Sequence, residues 1–188
     1  MNYSTKYDTW EGCYRDQWKG TLLDVAFCHP AKFSKSLIFR IIKHAKEEGF
    51  IKDKDIILDP FCGVGLGCLP TLMSGCAWLG NELEPRFFAL AEANISKWMA
   101  EYRHLPGWGP WAMVTRGDSR RLGEILPAQA QMVCGSPPFL GARAGTTASS
   151  ATAGGGPCAK RVHTIGSDGN RLGTTPGQLD AMSSGSVS

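Results

Sequence analysis

Asp59-Pro-Phe-Cys-Gly-Val-Gly-Leu-Gly67 follows an apolar run, Asp55 to Leu58, and reads as a strand that breaks into a glycine turn. Glycine has no Cβ and tolerates positive φ, so such a turn lets a ligand come close to the backbone. Glu82 stands at the end of the next predicted strand, about 20 residues on, the spacing at which a carboxylate in a βαβ unit meets ribose hydroxyls. No phosphate-loop lysine follows the glycines, which argues against a nucleoside triphosphate. Further along, Gly135-Ser-Pro-Pro-Phe139 sets a small hydroxyl, two prolines and an aromatic ring at the end of a later strand. Each feature also has a plain structural reading. The glycines fit an ordinary strand-to-helix turn, Glu82 and Glu84 before Pro85 suit a helix N-terminus, and Asp118 can serve as an N-cap. Their order on successive strand ends singles them out, because ligands of open α/β sheets bind outside the carboxyl ends of the strands.

Around this stretch, helix-like and strand-like segments alternate. From Ser34 to Glu48, apolar residues fall at Leu37, Ile38, Ile41, Ile42 and Ala45, a helical stripe with Ser34 as N-cap and Gly49 as stop. Ile56 to Leu58 predicts a buried strand, Leu66 to Ser74 a helix, and Ala77 to Leu79 a second strand. Pro85 to Tyr102 predicts a long amphipathic helix with Pro85 in its first turn and Phe88, Ala91, Ile95, Trp98 and Tyr102 along one side. Ala112 to Thr115, Leu122 to Leu126 and Gln131 to Cys134 complete the pattern as strand, short helix and strand. Such alternation implies parallel pairing through right-handed crossovers and an α/β sandwich.

Composition sets the outer limits. A chain of 188 residues, 43% hydrophobic, can bury the core of one domain. The net charge of +3 permits a polyanionic partner without requiring one, since Lys and Arg form no dense run. The seven cysteines are scattered without paired C-x-x-C spacing, which points to reduced thiols in a cytoplasmic protein and to no metal site. No apolar signal region opens the chain and no stretch is long enough to span a bilayer.

Three regions are expected: an N-terminal extension over 1–26, a cofactor-binding and catalytic domain over 27–140, and a tail over 141–188. The tail is rich in Gly, Ser, Thr and Ala and nearly free of large apolar residues, so it reads as flexible or as the start of a further region. A sheet ending at its fourth strand has an uncovered edge, which makes the chain look like the front part of a larger protein.

Residues Phe27 to Phe139 resemble the cofactor-binding half of bacterial and phage DNA amino-methyltransferases. That family pairs a D-P-F-x-G-x-G loop with an S-P-P-[YF] or D-P-P-[YF] tetrapeptide. His29-Pro-Ala-Lys-Phe33 resembles the segment that precedes the cofactor loop there, and Gly173-Thr-Thr-Pro-Gly-Gln-Leu179 resembles loops that follow the catalytic motif. The resemblance implies a Rossmann-like methyltransferase sandwich with a mostly parallel sheet, incomplete on its C-terminal side. It further implies S-adenosylmethionine as cofactor and DNA as partner. On this reading His29, Lys32, Phe33, Asp59, Phe61, Gly63, Gly65, Glu82 and Asp118 hold the cofactor. Asp59 would lie near the methionine amino group, the Gly63 and Gly65 amides along the loop, Glu82 on the ribose and Asp118 at the adenine amino group.

Ser136, Pro137, Pro138 and Phe139 would carry the transfer. An exocyclic amine is a poor nucleophile because its lone pair is conjugated into the ring. Hydrogen bonds from its N–H groups to the Ser136 hydroxyl and the Pro137 carbonyl would draw it toward tetrahedral geometry, with the prolines stiffening the turn and Phe139 stacking on a flipped base. Serine at the head of the tetrapeptide favours cytosine N4 over adenine N6 by resemblance. Two alternatives stay open: an RNA methyltransferase of similar fold, and a cofactor-binding remnant that transfers nothing. Cys134 precedes the turn and is expected to point into the core rather than act as a nucleophile.

Overall fold

The computed structural model describes residues 10–14, 17–29 and 32–137. The tail motif at Gly173 to Leu179 lies outside them. After a 3-10 helix at Asp24–Cys28 come α1 (Lys35–Glu47), β1 (Ile56–Asp59), α2 (Cys68–Met73), β2 (Ala77–Glu82), α3 (Pro85–Tyr102), β3 (Ala112–Arg116), a 3-10 turn at Ser119–Arg121, α4 (Leu122–Ile125) and β4 (Met132–Val133). The strands form one sheet in the order β3-β2-β1-β4, and every pairing is parallel. The chain therefore has the α/β architecture of a Rossmann-like methyltransferase.

Register sorts the residues onto the two faces. Ile57 pairs with Trp78 and Met132, and Trp78 with Ala112, so these four share a face. That face carries the core: Trp78, Phe87, Ala91, Ile95 and Trp98 form one cluster, and Ile42, Ala45, Ile51 and Ile57 a smaller one beneath α1. On the other face the row Val133–Leu58–Leu79–Met113 is buried at its centre and exposed at both ends, by 63% at Val133 and 37% at Met113. The link from β3 back to β4 runs against the direction of the earlier crossovers, so right-handedness puts it on this second face.

Several elements differ from expectation for local reasons. Ser34 occupies the N-cap position of α1 but makes no cap bond; its hydroxyl donates instead to the Cys13 carbonyl at 2.5 Å. Gly49 does stop α1, at a φ of +75°. β2 continues to Glu82 because Asn81, though polar, is fully buried and saturated with hydrogen bonds. In α3 the buried residues are Phe87, Ala91, Asn94, Ile95 and Trp98, so the inward arc includes Asn94 and takes Phe87 rather than Phe88. Hydropathy alone assigns an asparagine outward; here it faces in. The region expected as an extension contributes Trp18, Leu22 and Ala26 to the main core. Trp18 donates to the Phe33 carbonyl at 2.7 Å, and Trp98 to the Thr21 carbonyl at 2.9 Å.

Gly109 lets the loop before β3 press against the sheet. Its N–H donates to Leu72 O at 2.7 Å, and a Cβ there would fall 1.9 Å from the Cys76 carbonyl oxygen. Gly123 in α4 has nothing within 4 Å of its Cβ position. Gly109→Ala should therefore destabilise by about 2 kcal/mol or more through backbone displacement. Gly123→Ala should be neutral or stabilising by up to about 1 kcal/mol through helix propensity. Urea denaturation of the two variants measures both, and equal stabilities would contradict the close approach at Gly109.

Candidate active site

β1 lies between β2 and β4, so the loop that follows it is flanked by the carboxyl ends of both neighbours. One buried side chain organises these ends. Asn81 donates from Nδ2 to Gly117 O at 2.9 Å and to Ser119 Oγ at 3.2 Å, while its Oδ1 accepts from Thr115 Oγ1 at 3.1 Å. Ser119 Oγ in turn donates to Pro60 O at 2.5 Å. The loops after β1 and β3 are thus pinned to the end of β2.

Asp59 closes β1 and is 2% exposed. Its Oδ1 accepts from the Phe61 N–H at 3.1 Å. A Cβ on Gly135 would sit 2.3 Å from that same oxygen, so only glycine lets the chain leaving β4 pass over the carboxyl. Burial pushes the Asp59 carboxyl up to about 7, repulsion from Glu82 adds to this, and the Phe61 N–H opposes it. Phe61 itself is half-buried. Asp59 therefore lies buried between the glycine loop, which it accepts from, and the turn after β4, which passes close over it.

Glu82 ends β2 with both oxygens engaged. Oε2 accepts from Gly63 N at 2.9 Å and Oε1 from Glu84 N at 2.8 Å. Burial raises its pKa against the lowering effect of those amides. Gly63 and Gly65 hold φ of +56° and +81°, as a turn built on glycine requires. Their amides were expected to face a ligand. Instead, Gly63 N–H serves Glu82 and Gly65 N–H donates to Cys62 O at 2.8 Å. The missing side chains admit protein: a Cβ on Gly63 would lie 2.7 Å from His29 Nε2, and one on Gly65 would lie 3.4 Å from Ala91 Cβ.

His29 meets Phe87 edge-on with ring centroids 4.4 Å apart, which sets its imidazole over the glycine loop. Lys32 turns back on its own segment, donating to Phe27 O at 3.2 Å and to His29 O. Phe33 packs against the main core. Asp118 accepts from Arg120 N at 2.9 Å, and the Arg120 guanidinium pairs with it at 2.5 Å and lowers its pKa. It caps the 3-10 turn while standing at the end of β3. Ser136 and Pro137 follow β4 and are exposed; Pro138 and Phe139 lie outside the described residues. Burial raises the Cys134 thiol to about 11, consistent with a core position and unsuited to a thiolate nucleophile. Reading the sequence missed Asn81, Asn94 and Ser119. The signal for the first two was a polar residue inside an otherwise apolar strand or helix face.

Residues 2–93 match the model of the N6/N4 DNA methylase family. That span resembles this family in sequence. The matched part runs from the N-terminal segment through β1, the glycine loop and β2 into the first half of α3, and ends before β3. The chain is also similar to an orphan methyltransferase, M.BamHII, of Bacillus amyloliquefaciens, at 28% identity over 91 residues. That alignment covers 48% of this chain and 32% of the relative's length. Among the described residues no cluster of His, Cys, Asp and Glu is arranged to hold a metal, and no helix is long and apolar enough to cross a membrane.

The donor set suits a nucleoside cofactor of the family in one respect: carboxylates stand at consecutive strand ends, Glu82 on β2 and Asp118 after β3, where acceptors for a ribose diol and an amino group belong. Asp59 carries a separate, measurable signature. An unfolded aspartate ionises near pH 3.9, whereas this one keeps its proton to about 7. Between those values the folded state binds the extra proton. The stability it contributes is therefore complete below about pH 4 and is lost as pH rises toward 7. Asp59→Asn keeps an acceptor for Phe61 N–H and removes the titration. Urea denaturation from pH 4.5 to 7.5 should show wild-type stability falling relative to the variant; parallel curves would mean that Asp59 is already ionised in the fold.

Proposed function

We infer that this chain uses S-adenosylmethionine to methylate an exocyclic amino group of a DNA base, with cytosine N4 favoured over adenine N6. The observation that carries this reading is the strand order. It sets the glycine loop after β1 between Glu82 on one neighbour and Gly135–Ser136 on the other, the crevice where open α/β sheets take ligands. The match of residues 2–93 to the N6/N4 DNA methylase family supports the same chemistry. DNA as partner follows from that family, and the Ser-Pro-Pro-Phe turn is the reason for preferring cytosine.

On this reading His29 and Phe61 border the methionine part, with Lys32 and Phe33 shaping the segment that presents His29. Glu82 accepts from the ribose hydroxyls while remaining bonded to the loop. Asp118 accepts from the adenine amino group. The cofactor supplies an electrophilic methyl group on a sulfonium. The protein's share is to hold the amine in line with that methyl and to free its lone pair. Ser136 Oγ and the Pro137 carbonyl accept the two N–H bonds of the amine, which favours tetrahedral nitrogen. Phe139 stacks on the extruded base. The raised pKa values of the buried thiols Cys62, Cys68 and Cys134 suit a mechanism without a covalent enzyme–base adduct.

Calorimetry with S-adenosylmethionine should detect binding. Glu82→Gln, which keeps an acceptor but loses the charge, should weaken it by about ten- to a hundredfold, the equivalent of the roughly 1.5–3 kcal/mol of a charge-assisted hydrogen bond. Unchanged affinity would remove Glu82 from the site. A cofactor ammonium near Asp59 would favour the ionised carboxyl, so binding should release a proton below pH 7 and tighten as pH rises from 6 to 8. For methyl transfer, tritium incorporation into cytosine-containing DNA is the readout. Phe139→Ala should lower kcat/KM by the equivalent of about 1–3 kcal/mol of lost stacking. A cysteine adduct trapped on 5-fluorocytosine DNA would overturn the proposed chemistry.

A further inference from the structure

Asn94 is a polar residue on the inward face of α3, where it is fully buried among Phe87, Ala91 and Trp98. Its two ends reach in different directions. Oδ1 accepts from the Leu23 N–H at 3.1 Å, and Nδ2 donates to the Val64 carbonyl at 2.9 Å. Val64 stands between Gly63 and Gly65 in the glycine loop. Leu23 immediately precedes the 3-10 helix Asp24–Cys28, which delivers His29 to its place against Gly63. A buried amide without partners is costly, and asparagine is a mediocre helix former, so neither burial nor propensity accounts for this residue on an apolar face. Its geometry does: one rigid planar group spans two segments that no other side chain described above connects.

We propose that Asn94 is a positioning residue that sets the glycine loop in register with the N-terminal segment, so that His29 packs against Gly63 at the edge of the cofactor site. The proposal rests on the cofactor reading given above. Gly63 and Gly65 have little intrinsic backbone preference, so the loop's shape depends on what holds it. Glu82 fixes Gly63 from the β2 side, and Asn94 fixes Val64 from the α3 side. Trp98, one turn along the helix, independently anchors Thr21. Loss of Asn94 therefore releases the register of the segment and not its attachment.

The test compares Asn94→Ala with Ile42→Ala in the full chain. Ile42 is buried in the separate cluster beneath α1, which includes no residue of either segment. Stability by urea denaturation, amide hydrogen exchange at Gly63 and Gly65 in the unliganded protein, and S-adenosylmethionine affinity by calorimetry are measured for both. Both variants should lose stability. Only Asn94→Ala should speed exchange at the two loop amides and weaken affinity, each by about tenfold, the equivalent of losing one hydrogen bond. Equal loop exchange in the two variants would overturn the proposal, because Asn94 would then be one more core residue. If wild type binds no S-adenosylmethionine, the cofactor reading fails, and loop exchange alone still decides whether Asn94 sets the register. If Asn94→Ala does not fold, Leu23→Pro removes the backbone donor, at a φ of −62° that is proline's own, together with the Leu23 side chain that packs on the main core. Unchanged loop exchange in that variant would equally overturn the proposal.

Discussion

The candidate site depends on how closely α3 approaches the glycine loop. A Cβ on Gly65 would already touch Ala91 at 3.4 Å, and Phe87 supports the imidazole that lies against Gly63. A helix can come this near a turn only if both surfaces are small at the contact, which Gly65 and Ala91 satisfy together. The same approach brings Asn94 to Val64 and Trp98 to Thr21. One helix face thus shapes the loop, shields it from solvent and holds the N-terminal segment across it. The glycines serve the protein's own packing first, and whatever room they leave for a ligand is set by that packing.

Electrostatics at the strand ends is uneven. Asp118 is exposed enough to keep an arginine partner and ionises easily. Glu82 is buried, and two backbone amides hold it against the cost of desolvation. Asp59 is the most enclosed; it has the Phe61 amide and a neighbouring carboxylate, and its proton is held accordingly. The gradient runs from the sheet edge at β3 to its centre at β1. A cationic group entering at the centre would meet the carboxyl most ready to release a proton on contact.

Much of this was legible beforehand. The helix from Pro85 to Tyr102 was fixed by proline at one end and by apolar spacing along its length, and it spans those residues in the structure. The glycine turn, the acids at strand ends and the parallel order followed from the alternation of periods. The polar interior was not legible. Asn81 and Asn94 are read outward by hydropathy, and only the three-dimensional contacts show that each is hydrogen-bonded to partners far away in sequence. Nor could spacing reveal that the Gly63 amide would be taken by Glu82, since a loop and a carboxylate each expected to meet a ligand can also meet each other.

The attachment of β4 gives the site two parts of unequal firmness. This strand is two residues long and shares only the pairs Ile57–Met132 and Leu58–Val133 with β1. At its start the Gln131 side chain substitutes for a strand bond, accepting from Ile56 N–H at 2.7 Å. β2, by contrast, pairs with both its neighbours over longer stretches. Short ladders part first, and segments that must reshape around a partner come from the least stable part of a fold. The turn bearing Ser136 is therefore tied to β1 by a shorter ladder than the one that holds the loop beside Glu82.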